Sequence, residues 1–214
     1  MIISILDYGV GNISSVKNAL KFLNIKFRVI KNSQGIKSSS SIILPGVGSF
    51  YHAVGHMKKK KIFNQLRYQI KVKKTPVLGI CLGMQVFFDQ SEEIKYTKGF
   101  GFIKGKVVPI HKKQKKIKTN LNVGWYNVKY KSKKDSLFEG INNNQSFYFT
   151  HSYTPKGVKK EFVTATYYDD AKIIAVVQLE NIFGIQFHPE RSGKNGLKIL
   201  ENFYKISKRI QELS

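Results

Sequence analysis

Apolar residues in the first half of the chain fall in short runs, with helical spacings between them. Ile2–Asp7 is one such run and reads as a buried strand. A Gly9-Val10-Gly11 turn follows. Val16, Leu20 and Leu23 then recur at helical spacing, behind Asn12 or Ser14 as cap. Phe27–Ile30 and Ser41–Leu44 read as the next strands, the second stopped by Pro45-Gly46. Helical patterns cover Tyr51–Met57 and Ile62–Ile70. Val77–Ile80 is another buried strand, and Leu82–Asp89 reads as the helix after it. This alternation predicts an α/β fold with a parallel sheet wrapped on both faces. The second half is strand-rich: Phe102–Pro109, Asn122–Tyr130, Ser146–Thr150, Phe162–Tyr168 and Ile173–Leu179 read as mostly antiparallel strands. Ile182–Phe187 is a last buried strand. Ser192–Ile210 reads as a closing helix, with Leu197, Leu200, Phe203 and Tyr204 inward. No repeat or linker interrupts the chain, so residues 1–214 are expected to form a single domain.

Composition narrows the class. No apolar run is long enough to span a bilayer, and the N-terminus lacks the pattern of a signal peptide, so neither membrane insertion nor secretion is expected. One cysteine rules out an intramolecular disulfide and a cysteine-rich zinc site, and it fits a reducing, cytoplasmic compartment. Lys+Arg is 37 against 13 for Asp+Glu, a formal net charge of +24. Runs at Lys58–Lys61, Lys71–Lys74 and Lys112–Lys118 carry much of it. The cations are overwhelmingly lysine and are spread along the chain, without an arginine- and aromatic-rich motif. A solvated lysine surface is therefore expected, rather than binding to nucleic acid or membrane. An acidic protein partner or a phosphorylated substrate stands between those readings.

In an open α/β sheet, functional groups gather at the carboxyl ends of the strands. Asp7-Tyr8-Gly9, Pro45-Gly46-Val47-Gly48 and Cys81 all fall there. Pro76-Val-Leu-Gly-Ile-Cys81-Leu-Gly-Met-Gln85 reads as strand, sharp turn and helix, with Gly79 and Gly83 flanking the cysteine. This is the nucleophile-elbow pattern with sulfur in place of the serine oxygen. Glycines relieve the close backbone approaches of such a turn, and the following helix start favours the thiolate. A buried structural cysteine between two glycines is the plainer alternative. A thiol nucleophile needs a base, and the base needs an orienting group. His188 ends the last buried strand, and Glu190 lies two residues on, across Pro189. His52, His56, His111 and His151 compete for the role of base, His151 most seriously. The plain reading of His188 is a strand-end histidine beside a solvated glutamate.

Pro45-Gly-Val-Gly48, Gly79-Ile-Cys-Leu-Gly-Met-Gln85 and Phe187-His-Pro-Glu190 together resemble the class I, or triad, glutamine amidotransferases. The resemblance implies a flavodoxin-like open mixed sheet flanked by helices. It also implies a triad of Cys81, His188 and Glu190 that hydrolyses L-glutamine through a Cys81 thioester. The oxyanion hole would use the Leu82 N–H and a backbone N–H of the Pro45–Gly48 loop, at Val47 or Gly48, and that loop would rearrange on activation. Gln85 and Glu93 match positions that hold the substrate, with Glu92 as the alternative to Glu93. His151, Ser152 and Tyr153 match substrate-side positions too.

Asp7-Tyr-Gly-Val-Gly-Asn12, Phe147–Tyr153 and Gln186–Gly193 are similar to the family's histidine-biosynthetic glutaminase subunits. That similarity implies a (β/α)8-barrel cyclase subunit as partner in a heterodimer, to which ammonia is passed. Asn12 and Trp125 match positions near that interface, though Asn12 reads equally as a helix cap. The segment Asn122-Val-Gly-Trp125-Tyr-Asn127 departs from the usual His-Met-Gly-Trp-Asn, and Ser14 stands where arginine is common. The catalytic motifs are unaltered. These departures also suit a related subunit that supplies ammonia for amidino modification of surface-glycan sugars. No cofactor or metal is implied.

Overall fold

The computed structural model describes residues 1–110, 121–131, 136–169 and 171–213. His111 and the Lys112–Lys118 run lie outside the described residues. The elements in chain order are β1 (Ile3–Leu6), α1 (Ile13–Phe22), β2 (Phe27–Ile30), α2 (Ser33–Lys37), β3 (Ile42–Gly46), α3 (Phe50–Lys59) and α4 (Phe63–Lys71). Then come β4 (Val77–Cys81), α5 (Leu82–Gln85), β5 (Phe88–Ser91), β6 (Thr97–Lys98), β7 (Ile103–Pro109), β8 (Asn122–Tyr130) and β9 (Gln145–His151). The chain continues through β10 (Tyr153–Lys156), β11 (Val163–Asp169), β12 (Ala171–Leu179) and β13 (Ile182–Ile185). It closes with a 3-10 turn at Pro189–Arg191 and α6 (Gly193–Glu212).

The main sheet runs β2-β1-β3-β4-β13-β12-β11-β8-β9. Its first half is parallel, through β13. Its second half is antiparallel. The sequence expectation of an α/β mixed sheet with a strand-rich second half holds. β1, β3, β4 and β13 are buried along their whole length, as parallel strands covered on both faces must be. Successive side chains therefore feed two cores. Ile43 joins Ile3, Ile5, Val16, Leu20 and Phe203 on the α1 and α6 face. Ile42 and Leu44 join Met57, Leu66 and Phe100 on the opposite face. α6 buries Ile199, Leu200, Phe203 and Ile206, while Leu197 and Tyr204 pack only partly against that core. No helix of the described residues is long and apolar enough to cross a membrane.

One expectation needs correction. The helix read over Leu82–Asp89 stops at Gln85, and the chain re-enters as strand β5. Val86, Phe87 and Phe88 are fully buried, and their carbonyls are taken by another segment. Phe100 N–H donates to Val86 O at 2.8 Å, Phe102 N–H to Phe87 O at 2.8 Å and Gly101 N–H to Phe88 O at 3.2 Å. Only glycine fits at 99, since a Cβ there would lie 2.3 Å from Phe88 O. Helical bonding cannot compete once those carbonyls are occupied. The strand β7 lies outside the main sheet, inside a second sheet of order β10-β7-β5-β6, antiparallel to β10 and parallel to β5.

Candidate active site

β3, β4 and β13 are neighbours, and their carboxyl ends converge. The register pairs Gly46 with Cys81, and Ile80 with Ile185. Cys81 sits at φ +53°, ψ −109°, a conformation that costs a non-glycine residue about 1–3 kcal/mol. The surrounding glycines make this turn possible. A Cβ at Gly79 would lie 2.5 Å from Gly83 O, and one at Gly83 would lie 1.9 Å from Leu44 O. The elbow is pressed against both the following turn and the neighbouring strand. Cys81 is about 6 % exposed, and its thiol donates to Thr150 O at 3.8 Å.

The base lies at the end of β13. His188 Nδ1 donates to Glu190 Oε1 at 2.8 Å, with both side chains almost inaccessible. The backbone locks this pair. His188 N–H donates to Tyr148 O at 2.9 Å. Ser192 Oγ donates to His188 O at 2.6 Å and accepts from Tyr148 N–H at 3.0 Å. The other ring nitrogen, Nε2, is buried without a hydrogen bond, and Cys81 is close enough to act on it electrostatically. Burial disfavours the imidazolium, but the Cys81 sulfur and the Glu190 carboxylate outweigh it and push His188 up to about 10. The arrangement therefore favours the imidazolium form of His188.

The rival bases are held otherwise. His151 Nδ1 donates to Tyr153 O at 2.8 Å, and its Nε2 accepts from the Tyr167 hydroxyl at 2.7 Å. Both ring nitrogens are thus engaged, by a main-chain carbonyl and a phenol. Asn122 donates in turn to the Tyr167 oxygen, which gives the unusual Asn122 a supporting task beneath His151. His52 is exposed and bonds Ser49 Oγ at 2.8 Å.

A cavity of about 370 Å³ opens over the sulfur. Val47, Gly48, Cys81, Leu82, Gln85, Glu93, His151, Ser152, Tyr153 and His188 all line it. Geometry also separates the two acidic candidates. Glu93 reaches the cavity while Glu92 is exposed. Glu93 Oε2 accepts from Phe50 N–H at 2.6 Å. Burial pushes its carboxyl up, against the opposing pull of that N–H and of His52. Gly48 has φ +92° with open space around it, so glycine is needed there for conformation rather than room. Leu82 is the first residue of α5. Asn12 and Trp125 are absent from the cavity lining. The Asn12 side chain accepts from Ser15 N–H at 3.2 Å and caps α1. The Trp125 ring is 56 % exposed and meets Tyr148 edge-on.

One residue at the sulfur escaped the sequence reading. Gln186 is fully buried, and its Nε2 donates to Cys81 Sγ at 3.5 Å. Its position two residues before His188, on the same strand end, was the available signal.

A buried cysteine at a strained strand-to-helix turn, beside a carboxylate-paired histidine, defines an amide- or ester-cleaving thiol enzyme. The chain matches the family described as glutamine amidotransferase class-I over residues 4–206. The chain belongs to the class I glutamine amidotransferases. It is 39% identical to "Imidazole glycerol phosphate synthase subunit HisH 1" of Campylobacter jejuni, over 95% of this chain and 100% of that protein. It is 41% identical to "Imidazole glycerol phosphate synthase subunit HisH" of Methanocaldococcus jannaschii, over 95% and 99%. Among solved structures it is similar to "Structure of PurLQS from Thermotoga maritima". The TM-score there is 0.74, with 18% identity and 95% and 97% coverage.

Proposed function

We propose that this chain is the glutaminase subunit of imidazole glycerol phosphate synthase, hydrolysing L-glutamine and passing the ammonia to a cyclase subunit. The observation that carries the chemistry is the meeting of Cys81 and His188 at one cavity, with Glu190 paired to His188 behind it. The names of the two HisH relatives support the pathway and favour it over the surface-sugar alternative.

In this reading the Cys81 thiolate attacks the carboxamide carbon. The resulting oxyanion is met by the Leu82 N–H and by an N–H of Val47 or Gly48. His188 gives its proton to the departing nitrogen, and the C–N bond breaks to leave a glutamyl thioester and ammonia. His188 then takes a proton from water as the hydroxide adds to the thioester carbon. Collapse expels the Cys81 thiolate and frees glutamate. Glu190 holds the imidazole ring and favours its charged form. Gln85, Glu93, His151, Ser152 and Tyr153 surround the glutamine, with Glu93 facing its ammonium. No metal or cofactor enters these steps.

Ammonia released to water becomes ammonium and loses its nucleophilicity, so the reading includes a partner sealed over the site. We assign that role to a (β/α)8-barrel cyclase in a heterodimer, with Asn12 and Trp125 at the interface. The whole chain acts as one amidotransferase domain in the reducing cytoplasm, where the thiolate survives. The test measures glutamine hydrolysis by the chain with its histidine-pathway cyclase, with and without the nucleotide acceptor. Stimulation by the acceptor, with imidazole glycerol phosphate formed, is expected. No complex and no stimulation overturns the pathway assignment. Glutaminase activity retained by Cys81→Ala overturns the chemistry.

A further inference from the structure

Gln85 entered as a substrate-binding candidate, yet its amide nitrogen is already committed. Gln85 Nε2 donates to Tyr153 O at 3.0 Å and to Gln186 Oε1 at 3.2 Å. Gln186 Nε2 in turn donates to Cys81 Sγ at 3.5 Å. The two glutamines are 4 % and 0 % exposed. The Gln186 main chain is pinned by its N–H to Ala175 O at 2.8 Å, and Gln85 lies in α5, directly after the elbow. The order of donors and acceptors admits one amide orientation. Flipping Gln186 would put its carbonyl oxygen against the sulfur and its NH2 against the Gln85 NH2.

We propose that Gln186 is a further catalytic residue, an amide donor that holds the Cys81 sulfur as thiolate, and that Gln85 acts on the nucleophile through it. The proposal deepens the glutaminase reading and rests on Cys81 being its nucleophile. A hydrogen bond to a charged acceptor is stronger than one to a neutral acceptor, so the amide favours S⁻ over S–H. Gln85 also lines the cavity. A substrate ammonium contacting the Gln85 carbonyl oxygen would polarise the chain of amides towards the sulfur, linking substrate occupancy to nucleophile strength. Among the described residues, the titratable groups that interact with Cys81 include His188, beyond the end of β13, Tyr8, beyond the end of β1, and Tyr167, on β11, and His151 lines the same cavity. Glu190 stands behind His188. Gln186 carries no charge at any pH, so its contribution appears as a uniform displacement of the thiol titration.

Cys81 is the single cysteine of the chain, so iodoacetamide alkylation reports on it alone. The rate is measured against pH in the full-length protein for wild type, Gln186→Met, Gln186→Glu and Gln85→Met. Removing a hydrogen bond to a charged group should slow alkylation at neutral pH roughly ten- to hundredfold in Gln186→Met and move the profile to higher pH. Gln186→Glu keeps the acceptor for Gln85 but sets a negative charge against the sulfur, so it should be slower still. Gln85→Met should shift the profile in the same direction, and its effect should not add to that of Gln186→Met. With glutamine as substrate, Gln186→Met should lower kcat with little change in KM, whereas a merely structural role would lower the folded fraction and leave the pH profile in place. A wild-type profile in Gln186→Met and Gln186→Glu overturns the proposal. Wild-type protein that alkylates readily but hydrolyses no glutamine with its cyclase overturns the glutaminase reading instead.

Discussion

Gly83→Ala tests whether the elbow is held by contact between two backbones. The added Cβ would lie 1.9 Å from the Leu44 carbonyl oxygen and 2.9 Å from its carbon. Restoring ordinary contact requires one chain to retreat by about 1.5 Å. Neither can do so freely. Leu44 is in β3, which is bonded to β1 on one side and to β4 on the other, and Gly83 follows Cys81 within α5. Overpacking of this kind costs about 3 kcal/mol or more when backbone must move. For a chain of this size that corresponds to a fall in Tm of about 6–12 °C. Gly55→Ala is the matched control. Gly55 is exposed in the middle of α3 with nothing within 4 Å of the new carbon. The same substitution there should stabilise by about 0.5–1 kcal/mol. Calorimetry gives both values, and glutamine hydrolysis normalised to folded protein gives the functional half. Gly83→Ala should lose hydrolysis even at temperatures where it remains folded, while Gly55→Ala should keep it. A Gly83→Ala protein that melts with the wild type and turns over normally would refute the packing argument.

Three further outcomes are expected. His188 is raised to about 10 from the 6.5 of an unperturbed imidazole. Its contribution to stability is therefore complete below about pH 6.5 and is lost as pH rises through about 10. The urea-unfolding gap between wild type and His188→Ala should narrow between about pH 6 and pH 10.5, and a widening gap contradicts the assigned charge state. Trp125 is the single tryptophan and is 56 % exposed. Its emission should move to shorter wavelength when the cyclase binds, and an unchanged spectrum removes it from the interface. Asn12→Ala should cost about 1 kcal/mol of stability through the lost cap on α1 and also weaken cyclase binding; unaltered binding by calorimetry reduces Asn12 to a cap.

Much of this site was legible because its determinants are local. Glycines two residues either side of Cys81 announce a crowded elbow, and Glu190 lies two residues from the ring it orients. The both-faces burial of β1, β3, β4 and β13 shows as short apolar runs, with Ser4 in β1 the polar exception. Long-range partners left no such mark. Val86-Phe87-Phe88 suits a buried helix or a strand equally, and Phe100, Gly101 and Phe102 decide between them by taking its carbonyls. The choice between His188 and His151 turns on Tyr167 and Asn122, which are distant in sequence from both ring nitrogens. The role of Gln186 depends on a contact with Cys81, 105 residues earlier.

The backbone at Cys81 has an evolutionary consequence. At φ +53° the fold would be more comfortable with glycine, so the reactive sulfur is maintained against the thermodynamic preference of its own scaffold. A copy of this gene released from selection for turnover would gain stability by losing its nucleophile, and the most direct route is the substitution of Cys81 itself. Thermal robustness in such a lineage would then mark the loss of catalysis rather than its refinement.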